Sequence, residues 1–311
     1  MKKWKQYLQA ISPFNNRTDM PDVPFVLKKI LAFWLCYIIG LCVAEGIAIL
    51  LHFALGKNVF AGEMLDAQTI MLITYYGFGI VAGTALFYWK WIEKKPLSEM
   101  GLTGNIRHYF LGMFIGILLL LFTVIAIILT GGMEFCGISG NSNPTMLLLL
   151  IGGFVVQGAA EEFLCRGIVL HALKAKPSVR IAVSVSTGLF LIPHLPTLLE
   201  AEILYGVVGI INLVLISCIL SLLTIRFGSI WAACGLHSCW NAVLYGVLGL
   251  NLSGNEETIT AIFQLRTVGE IWNGGSYGIE ASIVTTAVLG ISLAVMVTIW
   301  KGRNEHHGIS S

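Results

Sequence analysis

Two adjacent glutamates, Glu161 and Glu162, lie inside a long apolar stretch of this 311-residue chain. Neighbouring residues on an α-helix point about 100° apart, so the two carboxylates face different directions. Arg166 follows Glu162 by four residues, a spacing that brings both to one helix face and predicts a structural ion pair. Glu161 is left without that partner, and we expect it to act as a general base toward water.

Three more polar residues lie in two other apolar stretches. His237 and Asn241 are four residues apart and share one helix face. His194 lies between Pro193 and Pro196, which loosen the helix, and irregular backbone at membrane depth is tolerated where it lines a wet cavity. If the three segments converge, the site can activate water, with or without a metal, and stabilise the oxyanion of an attacked amide.

The composition indicates the kind of protein in which these residues lie. Hydrophobic residues make up 56% of the chain and charged residues only 12%, and the mean hydropathy is +0.82. A soluble protein carries about 25% charged residues, so this chain is predicted to be embedded in a membrane. The net charge of +2 does not suggest a nucleic-acid partner, and the seven cysteines form no CxxC pair and predict no disulfide framework.

Long apolar stretches predict eight membrane-spanning helices, since about 20 apolar residues cross a bilayer. The fold class is therefore all-α, a polytopic helical bundle, because backbone polar groups in lipid must be paired within each segment. The predicted spans are residues 30–52, 69–91, 109–131, 145–170, 180–199, 203–225, 229–250 and 279–300.

The basic residues predict the orientation of these spans. They cluster before the first span, between the second and third, between the fourth and fifth, and after the last, and Arg226 lies between the sixth and seventh. The intervening loops carry only Lys57 and Arg266. Since basic loops stay in the cytoplasm, we expect both termini to be cytoplasmic, in a bacterial plasma membrane.

Two local patterns predict how parts of the chain are placed. Trp4, Tyr7 and Leu8 lie among lysines and predict a short helix on the membrane surface. The small-residue pairs Gly79–Gly83 and Gly112–Gly116 favour close helix packing.

The predicted spans divide the chain into five parts. These are an N-terminal segment with the interfacial helix (1–29), two spans and a cytoplasmic loop (30–108), the catalytic core (109–250), an extracytoplasmic loop (251–278), and the last span and tail (279–311).

One sequence match is rejected. Residues 274–278 read GxSxG, the pattern of a nucleophile elbow, but that motif works only in a strand–turn–helix of an α/β-hydrolase. Here it lies in a loop before a span. The chain also lacks HExxH, the common zinc-protease pattern.

Three motifs carry a family resemblance. The segment from Glu161 to Arg166 resembles the EExxxR motif of the CAAX-protease and bacteriocin-processing family, also called the Abi or Rce1-like family. Phe190 to His194 resembles its FxxxH motif, and residues 237–241 resemble its HxxxN motif. The motifs occur in the family's order, each in its own predicted span, within residues 145–250. Residues 97–102 also look like a family segment.

The resemblance implies a glutamate-dependent intramembrane endopeptidase. Glu161 and His194 would activate the water, and His237 and Asn241 would stabilise the oxyanion or help to hold a metal. The substrate would be a peptide or lipidated peptide at the membrane, among membrane lipids.

The resemblance also implies supporting roles. Glu162 and Arg166 would support the first motif, and Phe190 would shape the pocket. Where a metal is invoked for the family, it would be Zn²⁺. The metal ligands here would be Glu161, His194 and His237.

Two alternative functions stay open beside the protease. The first is a non-catalytic membrane scaffold or bacteriocin-immunity protein with the same fold. The second is a transporter, which should show repeat symmetry that the sequence does not show. The depth of His194 is a further question, because it follows Arg180 by 14 residues, roughly 20 Å along a helix. To meet Glu161 and His237, the fifth span would have to start later, tilt, or begin with an interfacial turn.

Overall fold

The structure is a computed structural model that describes residues 2–17, 19–140, 142–174, 176–254, 261–268 and 272–306. The expected loop 251–278 and the C-terminal tail therefore fall partly outside the described residues. An amphipathic helix, α1 (Lys2–Ile11), precedes the bundle, as its pattern predicted.

All eight predicted spans appear as helices, which confirms the polytopic helical fold. Three of them, α3, α5 and α9, continue directly into a π-helix. The long helices are α2 (Asp22–Ala54), α3 (Ala67–Phe87, with π-helix Tyr88–Ile92), α4 (Arg107–Leu129), α5 (Pro144–Glu162, with π-helix Phe163–His171), α6 (Val179–Leu191), α8 (Ile203–Phe227), α9 (Trp231–Asn241, with π-helix Ala242–Val247) and α10 (Ile283–His306).

Seven of these helices, counting α6 with the short helix that follows it, are long and apolar enough to cross a membrane in the described part of the chain. The exception is the seventh predicted span, where α9 and its π-helix stop short of the about 20 residues that a bilayer requires. Every residue from Ala232 to Ala242 is buried. This helix is enclosed by the others, so its length need not match the lipid.

The first long helix begins eight residues before the predicted start of its span, at Asp22 rather than at residue 30. Lys28 and Lys29 are therefore buried within α2, although they were expected to precede the span. Their ammonium groups lie 2.7 and 2.9 Å from the carboxylate of Glu93, which also accepts from the Tyr88 hydroxyl. A buried charge cluster thus joins the ends of α2 and α3.

One of the two predicted glycine pairs explains how α9 is enclosed. A Cβ atom added at Gly112 of α4 would collide with the backbone of Ala232, and one at Gly116 would lie 3.0 Å from the carbonyl oxygen of Leu236. These glycines bring α4 and α9 into backbone contact. The prediction was wrong for Gly83, where a Cβ would meet nothing within 4 Å.

The fifth predicted span is broken near its end. Helix α6 ends at Leu191, a 3-10 turn covers Ile192–His194, and a short helix α7 covers Leu195–Glu200. The prolines at 193 and 196 lie in this break, as their lack of an N–H donor predicted. Helix α6 begins at Val179 with Ser178 as its N-cap, so the later start proposed for this span is not observed.

Strands occur on the side of the bundle away from the α2–α3 charge cluster. Met133–Ile138 (β1) pairs with Phe263–Thr267 (β2) in an antiparallel ribbon, which the all-helical prediction did not include. The GxSxG segment forms a 3-10 turn, Gly275–Tyr277, rather than a nucleophile elbow. A second 3-10 turn, Ile279–Ala281, leads into α10.

Candidate active site

Helices α5 and α9 place the first and third motifs against each other. The amide nitrogen of Asn241 donates to Oε1 of Gln157 at 2.9 Å, and Nδ1 of His237 lies 3.0 Å from Oε1 of Glu162. Higher numbers on one helix meet lower numbers on the other, so the two helices run antiparallel. The expectation that His237 and Asn241 share a face is confirmed, and that face points at α5.

Glu162 and Arg166 form the predicted ion pair. The Nη1 atom of Arg166 lies 3.0 Å from Oε1 of Glu162, and both side chains are fully buried. The other end of the guanidinium donates to the Ser217 hydroxyl at 2.8 Å and to the Ser217 carbonyl at 3.1 Å. The Ser217 hydroxyl in turn donates to Thr187 at 3.0 Å. This network ties α5 to α6 and α8 behind the site.

Phe190 stands between the network and the two histidines. Its ring lies 4.8 Å from the guanidinium carbon of Arg166, 5.0 Å from the His194 ring and 5.9 Å from the His237 ring. The side chain therefore forms a wall of the site, the position that the FxxxH resemblance implied.

The neighbours of His237 define which of its nitrogens carries a proton. Glu162, paired with Arg166, can only accept a hydrogen bond, so Nδ1 of His237 must donate. Its Nε2 atom faces the other glutamate, 3.9 Å from Oε2 of Glu161. The imidazole therefore lies between two adjacent carboxylates, one facing each ring nitrogen.

Glu161 lacks an arginine partner, as predicted, but it has another local partner. The side-chain amide of Gln157, one helical turn earlier, donates to Oε1 of Glu161. Since the Gln157 oxygen accepts from Asn241, a continuous chain of hydrogen bonds runs from Asn241 to Glu161. The Glu161 side chain is 14% exposed, whereas that of Glu162 is completely buried. Of the two carboxylates, Glu161 is the accessible one.

In its neutral form, His194 leaves its reactive nitrogen without a proton. Its Nδ1 atom lies 2.9 Å from the carbonyl oxygen of Phe190, which can only accept. Nδ1 therefore holds the proton and Nε2 keeps a lone pair, so this histidine can take a proton from water. Among the described residues, no direct bond joins His194 to Glu161, His237 or Asn241, but Glu161 lines the smaller of its two cavities and His237 and Asn241 line the larger.

Two cavities meet at the 3-10 turn that carries His194. The larger measures about 220 Å³ and is mostly apolar. Its polar wall includes Gln157, His194, His237, Asn241, Ser253 and Glu280. The smaller measures about 20 Å³ and is bounded by Glu161, His194 and Tyr37, among apolar neighbours. About 10–15 Å³ is enough for one water, so a water-sized space lies beside the two groups expected to activate it.

The residues do not form a zinc site. Zn²⁺ in proteases is held by three protein ligands at roughly 2 Å, with an open fourth position. Among the described residues, no three His, Cys, Asp or Glu side chains come close enough to share a metal ion. The ligand set Glu161, His194 and His237 is therefore not assembled, and the chemistry proposed below uses protein groups alone.

Sequence analysis assigned no role to two residues of this site, Gln157 and Ser217. Gln157 precedes Glu161 by four residues, the same spacing that predicted the Glu162–Arg166 pair, so its contact could have been found. Ser217 gives no such signal, because it lies on α8, far along the chain. Glu45, an acidic residue in the middle of α2, is exposed on that helix and bounds neither cavity.

The fold and site define a class: an integral membrane protein of many helices whose buried polar site is built from three of them. In this chain, residues 143–243 match the family described as type II CAAX prenyl endopeptidase Rce1-like. That segment holds all three motifs, so the resemblance is confirmed over this part of the chain, and the Rce1-like family is a family of proteases. No curated protein and no solved structure matches the chain.

Proposed function

We propose that this protein is an intramembrane endopeptidase that hydrolyses a peptide bond of a membrane-associated or lipidated peptide. The observation that carries the proposal is the hydrogen-bonded chain Asn241–Gln157–Glu161, which holds an accessible carboxylate beside His237 and His194. The match to the Rce1-like family over the same helices also supports the proposal. The site faces a cavity that is enclosed in the bundle yet polar on one wall.

In the proposed reaction, Glu161 and the Nε2 atom of His194 orient and deprotonate a water. The resulting hydroxide attacks the peptide carbonyl carbon, and the carbonyl oxygen becomes an oxyanion. The proton then passes to the leaving nitrogen as the C–N bond breaks, which leaves a carboxylic acid and an amine, and the proton of the acid moves to the amine to give a carboxylate and an ammonium group. General-base assistance of this kind contributes about 10²–10⁴-fold to the rate.

His237 and Asn241 are the groups that would stabilise the oxyanion. Because Nδ1 of His237 is committed to Glu162, only Nε2 can serve, and it donates when the ring is cationic. Asn241 uses one N–H bond on Gln157 and keeps a second for the substrate. Such pre-oriented donors are often the largest contribution to catalysis of acyl transfer.

The experiment compares E161Q and H194A with the unmodified protein in purified form, using mass spectrometry on prenylated and unmodified peptides. We expect both variants to lose cleavage by about 100-fold or more. E45Q is the matched control, because Glu45 lies outside both cavities, and it should keep full activity. Cleavage by E161Q and H194A at the unmodified rate would overturn the proposal. A protein that binds but cleaves none of the peptides would favour the non-catalytic scaffold or immunity protein.

A further inference from the structure

One ionisable group that borders the larger cavity, the carboxylate of Glu280, belongs to none of the three motifs. Glu280 lies in the 3-10 turn before α10 and is partly exposed. Its Oε1 accepts from the indole nitrogen of Trp240 at 3.1 Å. Its Oε2 accepts from the backbone N–H of Ser253 at 2.7 Å and from the hydroxyl of Ser253 at 3.2 Å. Three neutral donors therefore converge on this carboxylate.

Among the described residues, nothing supplies a counter-charge to the Glu280 carboxylate. Across the described residues, no lysine, arginine or histidine forms an ion pair with it. The sequence of residues 251–282 contains four glutamates and a single basic residue, Arg266. The side chain of Arg266 is already paired with Glu134 on the β-ribbon. An uncompensated carboxylate in a mostly apolar cavity attracts a cation from outside the protein.

The position of Glu280 does not depend on its own side chain. Asn212 of α8 donates to the backbone carbonyl of Glu280 at 2.8 Å and to that of Ser282 at 3.0 Å. The hydroxyl of Thr286 donates to the oxygen of Asn212 at 2.7 Å and orients its amide. The turn is therefore anchored through the backbone, and the carboxylate is available for a ligand.

Aromatic rings around the cavity strengthen its preference for a cation. Trp240, Tyr277 and Tyr75 all line the same cavity as Glu280. The faces of such rings attract ammonium and guanidinium groups, most strongly where water is excluded. Trp240 also connects the two ends of the cavity, since it bonds Glu280 and is followed in α9 by Asn241.

We propose that Glu280 is a specificity residue that binds an ammonium or guanidinium group of the substrate, beside the bond to be cleaved. This inference rests on the proposed peptidase function and adds the substrate class: peptides with a cationic group near the scissile bond. The cation is a lysine or arginine side chain or a free N-terminal amine.

A binding measurement tests the site without relying on cleavage. Thermal stabilisation of the purified protein is followed with n-butylammonium, with n-butylguanidinium and with neutral n-butanol. We expect the cations to bind and E280Q to weaken them by about tenfold or more, while butanol is unaffected. E134Q is the matched control, because it removes an exposed carboxylate on the same side of the bundle, and should bind as the unmodified protein does. Equal binding of the cations to E280Q and to the unmodified protein would overturn the inference.

A cleavage measurement then separates the two sources of the cation. Peptides with lysine, arginine, glutamine or glutamate near the scissile bond are compared, each with a free and an acetylated N-terminus. We expect a preference in kcat/KM for one cationic source, its loss in E280Q, and a shift toward acidic peptides in E280K. Cleavage without any such preference would overturn the inference and leave the proposed function standing. If nothing is cleaved while E280Q still abolishes cation binding, the proposed function fails and the cation site stands.

Discussion

The Nδ1 atom of His237 lies 3.0 Å from Oε1 of Glu162, the same oxygen that pairs with Arg166. One buried carboxylate oxygen therefore serves both an ion pair within α5 and the orientation of a histidine on α9. Glu162 links the stability of the bundle to the geometry of the site, while its neighbour Glu161 faces the accessible side.

Replacement of Glu162 should thus cost stability, whereas replacement of Glu161 should not. E162A leaves Arg166 buried without its carboxylate, and breaking a buried pair of this kind costs about 3–5 kcal/mol. E161Q keeps a side chain of the same size and an oxygen for Gln157, so we expect its unfolding free energy to change by less than about 1 kcal/mol. Unfolding of both variants in detergent measures the difference. Equal losses would show that the Glu162–Arg166 pair is not the stabilising one.

Gln157 should act as a positioning residue for Glu161. In Q157L the hydrogen-bonded chain from Asn241 is broken, so the carboxylate loses its orientation but keeps its chemistry. We expect kcat to fall by about 10- to 100-fold with KM little changed, because the loss affects the reacting groups and not the rest of the cavity. Q68L, at an exposed position on α3, is the control. A rise in KM with an unchanged kcat would assign Gln157 to substrate binding instead.

The contact between α4 and α9 offers a test with a matched pair of glycines. In G112A the new methyl group would collide with the backbone of Ala232, and overpacking of this kind costs about 1–3 kcal/mol. In G83A the methyl group meets open space, and alanine favours a helix over glycine by up to about 1 kcal/mol. Thermal unfolding should therefore show a lower midpoint for G112A and an equal or higher one for G83A. The packing argument fails if the two variants shift in the same direction by the same amount.

The charge cluster at the ends of α2 and α3 predicts a loss of stability in acid. Burial acts to raise the pKa of Glu93, but the ammonium groups of Lys29 and Lys28 and the hydroxyl of Tyr88 outweigh it and hold the pKa below its usual 4.5. A carboxyl group with a lowered folded-state pKa contributes stability above pH 4.5, and this is lost as the pH falls through the lowered value. E93Q should be less stable near neutral pH and should show a flatter acid limb in its pH–stability curve. E99Q, which removes an exposed ion pair with Lys95, should keep the full slope.

The predicted orientation can be tested with a cysteine that the chain already contains. Cys136 is exposed on β1, on the side that the positive-inside rule assigns to the exterior. A membrane-impermeant maleimide should label it in intact cells, and C136S should remove that label. Labelling that appears only after the cells are broken would reverse the orientation and place both termini outside.

Sequence alone determined the features that depend on spacing within one helix. Hydropathy was enough to locate all eight helices, because in the described residues seven of them are long and apolar enough to cross a bilayer and the enclosed α9 is apolar as well. The four-residue spacing was enough for the Glu162–Arg166 pair and for the shared face of His237 and Asn241, because one helical turn brings such residues together.

Only the tertiary structure decided which of those faces meet. The bonds from Asn241 to Gln157 and from His237 to Glu162 depend on the antiparallel alignment of α5 with α9, which the close approach of α4 and α9 at Gly112 helps to set. Glu280 reaches the cavity from a loop that no periodicity describes. Contacts between distant segments follow from the packing of whole helices, and spacing within a single segment carries no information about it.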